Sequence, residues 1–477
     1  MKPTSADFKD NARVALNDPQ LQRALGQLPG GLVAQRTQAR AGLPEFEALR
    51  NVGRDVKNHM LANLDVYLER YEAKAKENGA EVHWAETAGD ARDIILKICQ
   101  DANARLVTKG KSMVSEEIGL NDHLESAGLT VVETDLGEYL VQIRHETPSH
   151  IVVPALHLTQ AQVEHEFRLK HTHLPAGRLL PDAASMVAEA RGVMRENYIK
   201  ADVGITGANF LVAETGSSVI VTNEGNGDLT QSLARVHIVI TSIEKVMATL
   251  EDVATIVRLL ARSATGQDIT NYVTFSTGPK RAGDPDGPES YHVVILDNGR
   301  AELLGTEFRE VLRCIRCAAC MNHCPVYNAV GGHAYGWVYP GPIGAVLTPA
   351  QLGIKAAGHL PNASTFCGAC VAVCPVKIPL TDLMRKWRDV EFDGGYTGFM
   401  AKRSLGLFAF LARRPRIYHA VTRFMALALS ALAGARGAFT YLPLASGWTR
   451  HRDLPAPQGR TFQQLWAEQT SGISPDV

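Results

Sequence analysis

Seven of the chain's eight cysteines fall into two short motifs that each end in Cys-Pro, and no other feature limits the fold as tightly. The first is Cys314-x2-Cys317-x2-Cys320-x3-Cys324-Pro325. Thiolates spaced every three residues wrap the backbone around one side of a cubane iron–sulfur cluster, the fourth cysteine points away, and the proline ends the turn; in two-cluster ferredoxins that fourth cysteine ligates the other cluster. Zinc sites use separated cysteine pairs and have no need of such a run. The second motif, Cys367-x2-Cys370-x3-Cys374-Pro375, repeats the first without its leading cysteine, whose place is held by Ser364. Crossing the motifs as ferredoxins do gives cluster one Cys314, Cys317, Cys320 and Cys374, and cluster two Cys324, Cys367 and Cys370. Cluster two is one thiolate short. It is either a three-iron (3Fe-4S) cluster or a four-iron (4Fe-4S) cluster whose last iron takes Ser364, water or a partner's ligand.

The small residues Ala318, Ala319, Gly368 and Ala369 let backbone N–H groups approach the cluster sulfides, and Arg313, Arg316 and Lys377 offset cluster charge. Both effects favour the reduced state and raise the potential, although plain solvation also accounts for the basic residues. Between the motifs, Gly331-Gly332-His333-Ala334-Tyr335-Gly336-Trp337-Val338-Tyr339-Pro340-Gly341-Pro342 predicts an ordered loop close to the clusters, because both its ends are anchored by ligands. His333 reads as a local hydrogen-bonding residue rather than a proton relay or partner contact. Cys99, alone on the apolar face of a predicted helix, reads as a core residue and not as a ligand.

At 477 residues the chain needs more than one core. A 45% apolar and 21% charged composition excludes a disordered or fibrous protein. The pattern divides it into an N-terminal extension over 1–48, an α/β domain over 49–300, a dicluster ferredoxin-type domain over 301–390 and a basic helical region over 391–477 that loses pattern after Pro455. Val52, Val56, Met60, Leu64 and Leu68 recur every four residues and predict one helix over 49–78, stopped by Gly79. A further helix over 90–104 carries Ile94, Ile95, Ile98 and Cys99 on one face. β-rich runs at 105–108, 129–132, 151–153, 236–240 and 292–295 alternate with helical stretches, which predicts a mostly parallel sheet covered on both sides.

Within this α/β domain, Lys109 and Lys111 follow a predicted strand, at the sheet edge where open α/β sheets bind ligands. Glu214 precedes the turn Thr215-Gly216-Ser217, whose N–H groups are able to face an anion. Turn glycines and solvated lysines are the plainer reading of both. No GxGxxG stands at a strand-to-helix turn, so a nicotinamide site is unsupported.

The net charge of -1 conceals an asymmetry: residues 400–452 carry nine Lys/Arg and no Asp or Glu. That stretch suits an anionic surface, acidic protein or phospholipid, and nothing points to a nucleic-acid partner. The apolar run over 424–435 is shorter than a membrane span requires, so it is expected to lie on a membrane rather than cross one. With no basic-then-apolar leader, the chain is expected in the cytoplasm, where clustered cysteines bind metal or do redox chemistry.

The cysteine motifs, the linker over 331–342, the run Pro375-Val376-Lys377-Ile378-Pro379-Leu380, and Ala201-Asp202-Val203-Gly204-Ile205-Thr206-Gly207-Ala208-Asn209 leading into Ala213-Glu214-Thr215-Gly216-Ser217 together resemble the bacterial lactate utilization protein B family. The resemblance covers most of residues 50–470 and includes the three-cysteine second motif. It implies a sugar-isomerase or CoA-transferase-like α/β domain followed by an α-helical two-cluster ferredoxin domain. It also implies an electron-transfer component of an L-lactate oxidising oxidoreductase complex, working with the other subunits of that system. Two readings stand beside it: an enzyme acting on a small organic acid or CoA ester in the α/β domain, with clusters structural or wired to it, and an interaction scaffold or redox sensor docking through its basic tail.

Overall fold

The structure is a computed structural model that describes residues 3–110, 112–449 and 452–470. It contains two compact units, Met1–Val390 and Glu391–Val477.

The first unit is built on strands β1 (Glu81–Ala85), β2 (Leu106–Gly110), β3 (Thr130–Glu133), β4 (Val203–Gly207), β5 (Phe210–Val212), β6 (Ser217–Thr222), β7 (Val236–Ser242), β8 (Val246–Met247), β9 (Tyr272–Ser276) and β10 (Ser290–Leu296). Six of them form a parallel sheet in the order β1-β10-β7-β4-β2-β3. Its central strands are buried on both faces: all seven residues of β7 and all five of β4 are buried, as a sheet covered on both sides requires. The chain leaves β2 outward to β3, then returns to β4 on the other side of β2 and builds onward through β7 and β10. The direction of winding therefore reverses between β2 and β4. A second sheet, β8-β5-β6-β9, contains antiparallel pairs and was not legible in the alternation of strands and helices.

Two sequence expectations are corrected here. Residues 49–78 form two helices, Phe46–Ala62 and Leu64–Glu77, because Asn63 leaves helical geometry (φ -132°, ψ 37°) and its amide donates to the His59 carbonyl at 2.9 Å. Residues 151–153 are a loop rather than a strand. The N–H groups of Val152 and Val153 donate to His150 Nδ1 at 3.1 and 3.0 Å, which takes them out of any ladder. Cys99 is fully buried in the helix Ala88–Asp101, in the core beneath the sheet, as expected.

Helices Phe8–Leu16, Pro19–Leu25 and Ala34–Ala41 pack on the cysteine region: Gln22 Nε2 donates to the Ala329 carbonyl at 2.8 Å and Arg36 to that of Val373 at 2.9 Å. The linker over 331–342 is ordered. A Cβ on Gly332 would stand 1.7 Å from the Ser149 carbonyl oxygen, so only glycine fits there. His333 is a hydrogen-bonding residue, but its bond is not local in sequence: it donates to the Thr147 carbonyl at 2.7 Å.

The second unit is helical: Phe399–Ala412, Pro415–Ala433 and, where sequence pattern faded, Phe462–Thr470. The apolar stretch is longer than its sequence boundaries suggested. Helix continues back through Arg423 and Arg416 to Pro415, so the segment Pro415–Arg436 is long and apolar enough to cross a membrane by length and composition, and 6% of its most apolar window is buried.

Candidate iron–sulfur site

The cysteines stand on short turns whose backbone is bent toward them. Arg316, Ala318, Phe366 and Lys377 hold φ of 60°, 60°, 55° and 50°, the left-handed region that L residues seldom adopt. Those turns aim N–H groups at sulfur: Arg316 at Cys314 Sγ (3.4 Å), Tyr327 at Cys324 Sγ (3.5 Å) and Ile378 at Cys374 Sγ (3.3 Å). Cys-Pro also starts the helix Pro325–Val330, with Pro325 at its first position and the Cys324 sulfur accepting at its N-terminus.

Cys314, Cys317, Cys320 and Cys374 line one cavity, closed by Ile151, Ile315, Ile343, Val376 and Ile378. Cys324, Cys367 and Cys370 interact with one another, and Cys320 feels Cys370, so the two groups adjoin. Burial first, with Cys374 beside it, pushes the Cys317 thiol up to about 12; burial does the same to Cys370. Thiols so shielded ionise only when a metal replaces the proton. The donor set fits cubane clusters: convergent sulfurs, N–H groups aimed at them and an apolar enclosure. Cys367 differs. It is exposed, and the Ala369 N–H and Thr365 hydroxyl lower its thiol. Ser364 is half-buried and its Oγ accepts the Phe366 N–H at 3.1 Å.

Sequence reasoning found the cysteines but missed the charges behind them. Arg300 bridges Glu117 (2.7 Å) and Glu244 (3.0 Å), Tyr339 donates to Glu117 at 2.7 Å, Arg316 pairs with Glu244 at 3.4 Å and lies 4.5 Å from the Tyr339 ring centroid, and Lys57 donates to the Glu244 carbonyl at 2.6 Å. Burial would raise the Glu244 carboxyl, but Arg300 and then Arg316 overcome it and hold it at about 2. Burial lowers Lys57 to about 8, and burial with Arg316 lowers Lys245 to about 8. Cys314 feels all of Lys57, Lys245 and Arg316. These residues come from segments hundreds of positions apart, so no local pattern marks them. Arg316 was legible as a cluster neighbour. Arg313 and Lys377 are engaged elsewhere, Arg313 with Asn58 and Glu310 and Lys377 Nζ with Asn51 Oδ1 at 2.5 Å.

His150 and Arg50 also tie the α/β domain to the motifs. His150 Nδ1 accepts from the 152–153 backbone, so Nε2 carries the proton and donates to Asn322 Oδ1 at 2.9 Å, within the first motif. Arg50 donates to the Cys374 carbonyl through Nε (3.0 Å) and Nη2 (2.7 Å).

Lys109 and Glu214, candidates of the α/β domain, have structural partners. Lys109 is fully buried between Glu133 (2.7 Å) and Glu116 (2.9 Å), and Glu214 is exposed and accepts the Leu250 N–H at 3.0 Å at the start of the helix Leu250–Ala264. Lys111 lies outside the described residues.

A parallel α/β unit joined to a region where two groups of cysteines adjoin defines a two-cluster iron–sulfur protein. Family models agree: a LUD domain matches residues 68–296, a 4Fe-4S dicluster domain 310–378, and the C-terminal region of lactate utilisation protein B 393–471. The chain belongs to the lactate utilization protein B family. It is 40% identical to lactate utilization protein B of Lysinibacillus sphaericus over 99% of both chains, and 40% identical to that of a Geobacillus strain over the same share. It is 42% identical to the uncharacterized electron transport protein YkgF of Escherichia coli over 97% of both chains. The dicluster match and the two cysteine groups together define two 4Fe-4S clusters.

Proposed function

We propose that the chain is an iron–sulfur electron relay in the use of L-lactate, working with the other subunits of a lactate utilization system. The observation that carries this reading is the pair of adjoining cysteine groups, since a purely structural cluster site needs only one. Cluster one is held by Cys314, Cys317, Cys320 and Cys374, a reading supported by the single cavity those sulfurs share. Cluster two is held by Cys324, Cys367 and Cys370, supported by their mutual interaction. Its fourth position is left to Ser364, water or a partner's ligand.

When bound, such clusters take up and release electrons singly, whereas lactate oxidation removes two electrons as a hydride equivalent. A two-electron centre therefore stands between lactate and this chain's clusters. The residues here do the rest: cysteines hold, N–H groups and the buried cations favour the extra electron, and Ile151, Ile343 and Val376 exclude water. The enclosing fold is of the sugar-isomerase or CoA-transferase-like type for the α/β domain and of the helical ferredoxin type for the cysteine region. The protein works in the cytoplasm, with the basic tail meeting an anionic membrane surface or an acidic partner.

The test is anaerobic EPR on the purified protein. Lactate alone should leave the clusters oxidised, and lactate with the partner subunits should reduce them. Cys317→Ser and Cys370→Ser should each block growth on L-lactate; normal growth in both, with cluster loss demonstrated, would refute the relay.

A further inference from the structure

A cavity of about 510 Å³ opens at the carboxyl end of the parallel sheet, between Ser112 after β2 and Gly207 to Asn209 after β4. That is where the winding direction reverses, the position at which open α/β sheets bind ligands. Its size falls in the range for cofactor-sized molecules, roughly 300–1,000 Å³, and a lactate-sized acid would leave most of it empty. Apolar side chains such as Met113, Leu140, Val152 and Leu260 form much of the wall.

The polar groups are divided. Carboxylates stand at the β3 and β6 ends: Asp135 caps the helix Leu136–Ile143, and Glu224 accepts the Leu136 N–H at 3.5 Å. A cation stands after β7. Lys245 is 6% exposed, lines the cavity, and its ammonium makes no hydrogen bond or ion pair among the described residues. Its neighbour Glu244 is already committed to Arg300 at 3.0 Å and Arg316 at 3.4 Å. A buried ammonium with no partner is costly, so it marks a place for an anion. Ile151 and Arg316 line both this cavity and the one that holds Cys314, Cys317, Cys320 and Cys374.

We propose that this cavity is a binding site for an organic anion of cofactor size, its anionic group paired with Lys245 and its body packed along Ile151, the wall shared with cluster one. The site rests on the relay reading for its purpose, a bound molecule one wall away from a cluster, but not for its existence. Neither Lys109 nor Glu214 takes part.

The probe is 8-anilinonaphthalene-1-sulfonate, an aromatic sulfonate, titrated by fluorescence into the anaerobic full-length holoprotein. One saturable site is expected. Lys245→Met should weaken it at least tenfold, and Val153→Trp, which fills the cavity from its loop wall, should abolish it, with iron content and circular dichroism retained in both. Saturation should alter the EPR signal of cluster one and not that of cluster two. Equal affinity in the wild type and both variants would overturn the proposal and assign the dye to exposed apolar faces of the C-terminal helices. Should lactate and partner subunits fail to reduce the clusters while these differences persist, the relay falls and the site stands.

Discussion

Arg316 sits in the turn between Cys314 and Cys317 with φ 60°, and its guanidinium is held by the Tyr339 ring and Glu244. Burial opposes its charge, but Cys314, Tyr339 and Glu244 outweigh that and raise its pKa, so it stays cationic. A fixed positive charge beside a cluster stabilises the added electron. Arg316→Gln should lower the cluster-one potential by on the order of 100 mV, from a unit charge several ångströms away at an effective dielectric near 20. Potentiometric EPR checks this; an unchanged potential would mean that solvent, not Arg316, balances the cluster. His150 supports a pH prediction. Burial lowers it from the ordinary histidine value of 6.5 to about 4, while Asn322 partly opposes the shift. Below 6.5 the unfolded chain binds a proton that the native imidazole refuses. Its contribution is therefore complete above pH 6.5 and lost as pH falls towards 4, by about 3 kcal/mol. Chemical denaturation at pH 7, 6, 5 and 4 should show a steeper loss in the wild type than in His150→Gln. Arg316 was legible from spacing because it stands inside the first cysteine motif. His150 and Lys245 were not, because a lone histidine and a lone lysine acquire meaning only from what the fold places opposite them.

Among the elements, the two cysteine turns have unequal exposure. Cys367 is exposed, whereas Cys317, Cys324, Cys370 and Cys374 are buried. Cluster two also has three cysteines in the proposed assignment, so air or mild oxidant should remove its EPR signal before that of cluster one. Ser364→Cys should slow that loss severalfold, since Ser364 occupies the place of the missing cysteine; earlier decay of cluster one would break the crossed assignment. The turns were readable because ligand spacing is local. The loop over 151–153 was misread for the opposite reason: β-branched Ile151, Val152 and Val153 carry strand propensity, and His150 overrides it by capturing two N–H groups. In the second unit, Arg413, Arg414 and Arg416 stand where the helix Phe399–Ala412 gives way to Pro415–Ala433, and Phe408, Phe410, Phe424 and Leu432 are each at least 50% exposed. Basic charge beside exposed apolar surface predicts salt-sensitive binding to anionic vesicles. Reversing the three arginines to Glu should cut vesicle co-sedimentation at low salt several-fold without changing iron content; no change would leave the stretch a solvated face.

At the scale of the molecule, the sheet, the cysteine region and the N-terminal helices form one compact unit. Sequence legibility stops short of that union. Residues 1–48 read only as an N-terminal extension, yet Phe8, Leu25 and Leu28 are buried, at 6%, 3% and 2% exposure. The Phe8 ring meets that of buried Tyr335 at 5.3 Å, and the Thr4 N–H donates to the Gly336 carbonyl at 2.8 Å. Leu21 and Leu25 lie over Gly331, and Arg36 reaches the Val373 carbonyl beside Cys374. These helices thus pack against the linker and the cysteine region. Burying three large apolar side chains contributes about 5–9 kcal/mol, at roughly 1.5–3 each. A chain lacking residues 3–42 should therefore lose cluster retention before it loses the sheet, because the sheet core around Val107, Ile205 and Ile238 draws nothing from those helices. Iron and acid-labile sulfide per chain should fall by half or more on gel filtration, while far-UV circular dichroism keeps its strand signal. Arg36→Ala should give a smaller loss in the same direction, since it removes one hydrogen bond and leaves the apolar cover in place. Full iron content and an unchanged thermal midpoint in the truncated chain would show that the N-terminal helices lie on the cysteine region without holding it.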